Sequence, residues 1–317
     1  MTVPAVTLTL NPALDVSTSA PQVAPVHKLR CAAPRFDPGG GGINVARVIQ
    51  RLGGPVLAVF PAGGPTGQRL TALLEAEGTP VRATGIDGET RESFTVTDRS
   101  DGAEYRFVLP GPTLSEEEQD RCLAGAVDAA APGGLLVASG SLPPGMAPGR
   151  LADLARRAKA RGLRLAVDCS GEPLARALAE GVHLVKPNLR ELSDLVGRPL
   201  ADPDARLRAC RDLIADGSAA TVALSLGAEG ALLVTADEAW TAPGLPIRPV
   251  STVGAGDSFL GGLLWALGQG LSLADGLRHA VAAGSAALLS PGTELCRRED
   301  VIRLAEQVRV VPAQGRE

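Results

Sequence analysis

Short apolar runs and helical stripes alternate along most of this chain. The run at residues 3–10 alternates and is rich in β-branched side chains, which predicts a first strand; 56–60, 135–138, 163–167, 182–185 and 221–226 predict further buried strands. Between these runs the apolar spacing becomes helical. In 44–52, Val45, Val48, Ile49 and Leu52 stand at offsets of 0, 3, 4 and 7, one face of a helix, and Gly53 supplies a left-handed stop. Helices are predicted in the same way at 67–78, 115–130, 149–161, 202–216, 258–268 and 272–288. Strand and helix in alternation imply an α/β fold: a mainly parallel β-sheet covered by helices on both faces, with ligands expected beyond the carboxyl ends of the strands.

Two segments break the rhythm. Residues 16–36 are rich in proline and polar side chains, and 90–109 read as a hairpin turning at Ser100, Asp101 and Gly102; both carry strand signals with no helix between. Together they predict a small antiparallel β-sheet outside the main one, serving as a lid, a dimer surface or both. No internal repeat divides the chain, so 1–317 reads as one domain with a β lid formed by 16–36 and 90–109, and 311–317 reads as a frayed tail.

Composition removes several classes of function. The charge sums to −4, with three histidines and few aromatics, and no basic block is present, which argues against nucleic acid as a partner. No apolar stretch approaches the roughly 20 residues of a membrane crossing, and the N-terminus lacks the pattern of a secretory signal, so a cytoplasmic location without membrane contact is expected. Cys31, Cys122, Cys169, Cys210 and Cys296 are scattered without metal-ligand spacing and read as buried free thiols.

Four motifs can carry chemistry. In DPGGGGINVAR, four glycines (Gly39, Gly40, Gly41, Gly42) precede a helix predicted from Asn44; they leave backbone free to approach a ligand, although a tight turn accounts for them equally, and neither GxGxxG nor GxxxxGK[ST] is matched. In STVGAGDSF, Gly254, Ala255 and Gly256 let amides converge at a helix N-terminus, a geometry suited to charge developing on a transferring phosphoryl group. Asp257 beside them can act as base or simply cap the helix. In HLVKPNLRE, Asn188 and Glu191 have capping-box spacing; functionally, Glu191 would take magnesium through its water shell, while Lys186 and Asn188 would take nucleotide phosphates. VASGSLPPG places Ser139 and Ser141 at the end of a buried strand, and there is no GxSxG elbow. Asp15, after NPAL, is placed for sugar hydroxyls or for a local turn.

Taken together and in this order, these elements resemble the phosphofructokinase B branch of the ribokinase-like sugar kinases over nearly the whole chain. TLTLNPALD, the glycine run with INVAR, SGSLPPG, VKPN with Glu191, SLG at 225–227 and STVGAGDS carry the likeness. KLRCAAPRFDPGGGGINVAR, EYRFVLPG and AAGSAALLSPGTELC look most like the 6-phosphofructokinase isozyme 2 type. The resemblance implies a ribokinase-like fold with a small β lid that makes a homodimer, and ATP with Mg2+ as cofactors. It makes Asp257 the base toward a sugar C1 hydroxyl, with the amides of Gly254, Ala255 and Gly256 holding the developing charge. It gives the sugar hydroxyls to Asp15, Gly40, Gly41 and Asn44, and the phosphosugar's own phosphate to Arg91 and Arg106 with Lys28 and Ser139.

For ATP it implies Lys186, Asn188, Ser225 and Gly227, with Val281 and Ser285 at the adenine; for K+ it implies Ser251, Val253, Ala287, Ser290 and Gly292. This chain departs at Glu294, where such relatives carry arginine, and at Gly41, where many members carry lysine, which favours the isozyme 2 type. The opening NPALD instead resembles 1-phosphofructokinases and tagatose-6-phosphate kinases. A fructose-6-phosphate kinase of glycolysis leads, then a kinase for those other phosphosugars; a non-catalytic sugar-phosphate sensor and an NAD(P)-dependent enzyme stay as readings of other classes, the latter opposed by the missing GxGxxG.

Overall fold

The side chains of the central strands alternate between two apolar faces, and that alternation builds the molecule. Residues 4–26 and 28–313 are described by the computed structural model. In chain order the first half runs β1 (Ala5–Leu8), β2 (Ala13–Ala20), β3 (Arg35–Gly39), α1 (Gly41–Arg51), β4 (Val56–Ala62), α2 (Gly64–Ala76), β5 (Val81–Gly85), β6 (Arg91–Asp98), β7 (Glu104–Val108), α3 (Glu116–Ala129), β8 (Leu135–Ser139) and α4 (Gly149–Ala160). It continues through β9 (Arg164–Asp168), α5 (Gly171–Leu178), β10 (Val182–Val185), α6 (Leu189–Val196), α7 (Pro203–Ala215), β11 (Ala219–Ser225), β12 (Ala231–Thr235), β13 (Ala239–Ala242), α8 (Ala255–Gly268), α9 (Leu273–Ala287), α10 (Arg298–Ala305) and β14 (Val311–Pro312).

Ten strands form one sheet in the order β14-β13-β12-β11-β10-β9-β8-β1-β4-β5. The pairs from β5 to β11 are parallel and those from β11 to β14 antiparallel. Leu136 and Ala138 of β8 face a core shared with α3, α4, α5 and α7, whereas Val137 between them faces a core shared with α1, α2, α8, α9 and α10. Helix ends are fixed locally: Ser115 and Glu118 make a reciprocal capping box, and the Asp202 and Ser272 side chains cap α7 and α9.

The structure corrects several expectations. α1 starts at Gly41 and α8 at Ala255, three residues before the predicted starts at 44 and 258, because glycine and alanine carry no apolar pattern yet adopt the helix where amides are free. Short α5, α6 and α10 and strands β5, β12, β13 and β14 escaped prediction; each is too brief for periodicity to show. Residues 311–312 pair with β13 and are not a frayed tail, while 314–317, like Val3 of the first predicted strand, lie outside the described residues. Cys122, Cys210 and Cys296 are buried and Cys169 is half-buried, but Cys31 is exposed.

The lid exists as a separate four-stranded sheet, β3-β2-β6-β7, and is mixed, not antiparallel: β2 pairs with β3 antiparallel and with β6 parallel. The chain passes through β4, α2 and β5 of the main sheet between β2 and β6, and so re-enters the lid in the same direction. Its register sorts the side chains. Asp37, Asp15, Ser93 and Val108 lie side by side, as do Arg35, Ser17, Thr95 and Arg106, and Gly39, Ala13 and Arg91; with a period of two, all share one face. The other face carries Leu14, Val16, Phe36, Phe94, Val96, Tyr105 and Phe107.

Candidate active site

Every chemistry-bearing motif ends at the carboxyl edge of the parallel strands, facing the polar side of the lid. β1 runs into Thr9 and Asn11, β8 into Ser139, β9 into Asp168, β10 into Lys186 and β11 into Ser225. A cavity of about 470 Å3 lined by Ile49, Arg164, His183 and Trp265 opens at the opposite, amino ends of these strands and takes no part in the site.

The glycine run is dictated by its neighbours. A methyl group at Gly39 would lie 2.4 Å from the Asp15 carboxylate, and one at Gly41 the same distance from Ser139 Oγ. Gly40 precedes α1 without any side-chain cap, so buried Thr9 takes that role: its Oγ1 accepts from Ile43 N at 2.7 Å. The helix thus arrives with Asn44 aimed at the catalytic candidate, Nδ2 donating to Asp257 Oδ2 at 2.8 Å across 213 residues of sequence. Asn44 Oδ1 is buried with no hydrogen-bond partner among the described residues, an acceptor left for a ligand hydroxyl.

Asp257 is not the helix cap. Gly254 holds that position in left-handed conformation (φ 72°), Asp257 is in the first turn of α8, and the amides of Gly254, Ala255 and Gly256 have no acceptor among the described residues. Burial raises the Asp257 pKa to about 6, Asp168 adds to the rise, and the Asn44 hydrogen bond and Lys186 oppose it. A carboxylate poised there can take a proton near neutral pH. Lys186 Nζ pairs with Asp168 Oδ1 at 3.0 Å; burial opposes its charge, but Asp168, with Asp257 and Glu191, holds the ammonium above its usual value. Asp168 was not singled out in the sequence. The signal was present: like Ser139, it is a polar residue closing an apolar strand run.

Asp15 sits on the lid's polar face. Burial raises its pKa to about 6 against Arg91 and Arg106, which lower it; Asp37, opposite it in the sheet, raises it. Arg91 donates from Nη1 to Leu109 O and from Nη2 to Asn11 O, both at 3.1 Å, and its buried Nε has no partner among the described residues. Arg106 shares that face and is exposed. Lys28 is exposed in the loop before β3, and no contact among the described residues brings it to the cleft. Ser139 is buried, its Oγ 3.4 Å from Asp168 Oδ2.

On the nucleotide side, Ser225 N donates to Pro187 O at 3.0 Å, which sets Lys186 and Asn188 beside Ser225 and Gly227. Val281 and Ser285 lie one turn apart on α9, where a methyl group at Gly284 would lie 3.3 Å from Ala255 O at the start of α8. Both readings of Asn188 and Glu191 survive: they form a capping box, with 2.9 Å bonds in each direction, yet the second Glu191 carboxylate oxygen has no donor among the described residues.

A pfkB family carbohydrate kinase profile matches residues 3–300. The chain belongs to this family. It is 47% identical over 304 residues to the ATP-dependent 6-phosphofructokinase isozyme 2 of Mycobacterium tuberculosis, covering 95% of this chain and 88% of that one. Crystal structures of Escherichia coli phosphofructokinase-2, one in complex with fructose-6-phosphate and one in complex with potassium, superpose with TM-scores of 0.91 and 0.92; they are 44% and 45% identical, and each covers 96% of this chain and 99% of its own. The ribokinase-like α/β fold with its small lid sheet is therefore that of the pfkB kinases.

As a pfkB kinase the chain needs ATP and a metal ion, and its residues can be tested against both. Among the described residues no three His, Cys, Asp or Glu side chains converge as a metal cage. One half-free carboxylate is the donor set of a divalent ion that keeps its waters and leans on nucleotide phosphates, so Glu191 fits. The segment 250–253 is tied to α9 by Val250 N donating to Leu288 O at 2.7 Å, and buried Ser251 on it and buried Ser290 past that helix carry hydroxyl oxygens, a donor type that suits a hard monovalent cation.

Proposed function

We propose that this pfkB kinase transfers the γ-phosphoryl group of ATP to the C1 hydroxyl of fructose 6-phosphate, giving ADP and fructose 1,6-bisphosphate. The observation that carries the reading is Asp257, a carboxylate with a pKa raised to about 6 in the first turn of α8, facing a lid whose polar side presents Arg91 and Arg106. Asp257 takes the C1 proton as the sugar oxygen bonds to phosphorus and the bond to the ADP oxygen breaks; the amides of Gly254, Ala255 and Gly256 offset the charge spread over the moving group. Asp15, Gly40, Gly41 and Asn44 orient the sugar, and Arg91 and Arg106 hold its 6-phosphate with Ser139. Lys186, Asn188, Ser225 and Gly227 hold the nucleotide phosphates and ribose, with Val281 and Ser285 at the base. Glu191 would hold Mg2+, which would supply neutralisation of the charge on the nucleotide phosphates. Ser251, Val253, Ala287, Ser290 and Gly292 would hold K+. No described helix is long and apolar enough to cross a membrane, and the reading includes a cytoplasmic location, where ATP and phosphosugars meet.

An ADP-release assay with ATP and Mg2+ tests the substrate. Fructose 6-phosphate should exceed fructose 1-phosphate, tagatose 6-phosphate, fructose and ribose in kcat/KM by at least about tenfold, the worth of one well-placed hydrogen bond to a hydroxyl or phosphate. Preference for another phosphosugar would keep the transfer and discard the substrate, and tight binding without turnover on any would make the chain a sensor.

The reading also makes the protein a homodimer through the lid. Tyr105 and Phe107 on the lid's apolar face are 39% and 53% exposed, while α2 covers the other half of that face, with Arg69 3.3 Å from the Phe36 ring centre. Phe107→Glu should sediment as a monomer where the parent sediments as a dimer; an unchanged dimer would place the contact elsewhere.

A further inference from the structure

Leu295 has a φ of 62°, in the left-handed region, and is completely buried. Such a conformation is strained for a branched residue, so the surroundings must impose it. α1 does so. Asn44, Arg47 and Arg51 recur at helical spacing and share one face. Arg47, itself buried, is anchored by Glu77 at 2.7 and 2.8 Å and donates from Nη1 to Pro38 O at 3.0 Å and Thr293 O at 3.3 Å. Arg51 Nη1 donates to the carbonyls of Glu294 and Cys296. Three carbonyls around Leu295 are therefore held from the same helix whose Asn44 holds Asp257.

The imposed backbone sends the leucine side chain beneath the start of α8. A methyl group at Gly254 would lie 2.4 Å from Leu295 Cδ2, so the side chain fills the space under that glycine. We infer that Leu295 is a positioning residue for phosphoryl transfer: seated under Gly254, it fixes the left-handed turn that aims the Gly254, Ala255 and Gly256 amides, and α1 sets both this seat and the base. The inference rests on the role proposed above for that turn. Loss of the side chain should let the turn relax toward the leucine's space, leaving substrate contacts in place while misaligning the donors that act only as charge develops.

The test compares Leu295→Ala, Leu295→Gly and Leu295→Met. Leu295→Ala and Leu295→Gly should each lose about 10–100-fold in kcat, with KM for fructose 6-phosphate and for ATP within about threefold of the parent. Leu295→Gly relieves the backbone strain and so should be the less destabilised by heat of the two, yet no more active, whereas Leu295→Met should restore most of kcat. An independent readout is hydrogen exchange at the Ser258 amide, which donates to Gly254 O at 2.8 Å and should exchange about tenfold faster in Leu295→Ala. Parental kcat and Ser258 protection in both small variants, or kcat losses that follow thermal stability, would overturn the inference. If the parent transfers no phosphate to any sugar, the proposed function fails by itself, and Ser258 exchange still decides whether Leu295 seats the turn.

Discussion

Asp257→Asn should lower kcat by about 10²–10⁴-fold, the usual worth of a positioned general base, while the KM values for ATP and fructose 6-phosphate change little. Asparagine keeps the shape and still accepts the Asn44 bond, so the loss measures the proton acceptor and not the packing. A second effect has the opposite sign. The folded protein holds Asp257 at a pKa of about 6 against an ordinary 3.8, so the stability this group contributes is complete below about pH 4 and is lost as the pH rises through 6. The asparagine variant, never ionising, should therefore be more stable than the parent by about 1–3 kcal/mol above pH 6.5, with the gap closing by pH 4. In the parent, kcat/KM should fall as the pH drops through 6, approaching tenfold per pH unit well below it, and more steeply where Asp15, also raised to about 6, protonates as well. Pre-steady-state phosphate transfer, thermal melts across that pH range and the pH–rate profile check these expectations. Near-parental turnover would remove Asp257 from the base role, and a melt difference that ignores pH would mean its ionisation costs the fold nothing.

Arg91→Ala should raise the KM for fructose 6-phosphate by about 30-fold or more and leave that for ATP within about threefold. A charge-assisted hydrogen bond is worth about 1.5–3 kcal/mol, and a guanidinium facing a dianion makes more than one. Two of its nitrogens already hold Leu109 O and Asn11 O, which pins the fork and leaves Nε buried and unpaired. The variant should therefore also lose discrimination between fructose 6-phosphate and fructose, a comparison that separates phosphate recognition from general loosening of the lid. Arg91→Lys should recover only part of the loss, since an ammonium cannot reproduce the fork. Arg106→Ala should act in the same direction and less strongly, because its side chain is exposed and solvent already screens it. An unchanged sugar KM in Arg91→Ala would move the phosphate site off the lid.

Local patterns were sufficient for the parts of this protein that neighbours in sequence define. The 3.6-residue stripe of Val45, Val48, Ile49 and Leu52 became α1, the strand runs became the parallel half of the main sheet, and Asn188 with Glu191 became a capping box. The GAGD turn was legible as a place where amides gather, though not that the helix starts at Ala255 and leaves Asp257 uncommitted to capping. The lid was legible as a sheet but not as a mixed one, because strand direction depends on the path taken between β2 and β6. Thr9 and Leu295 carried too little local signal to be singled out, and Asp168, though it closes an apolar strand run as Ser139 does, matters like them through a distant contact: Asp168 with Lys186, Thr9 with Ile43 N, Leu295 with Gly254.

By itself, then, the sequence determined the alternation of the longer strands and helices, the family motifs and the kinds of side chain available for phosphoryl transfer, since turn chemistry and hydrophobic period act within a few residues. The tertiary structure alone decided which charges face one another. The pKa near 6 at Asp257 and Asp15, the pairing of Lys186 with Asp168, and the grip of α1 on the loop under Gly254 all arise from burial and fields between residues far apart in the chain, and these depend on where packing excludes water, not on which residue comes next.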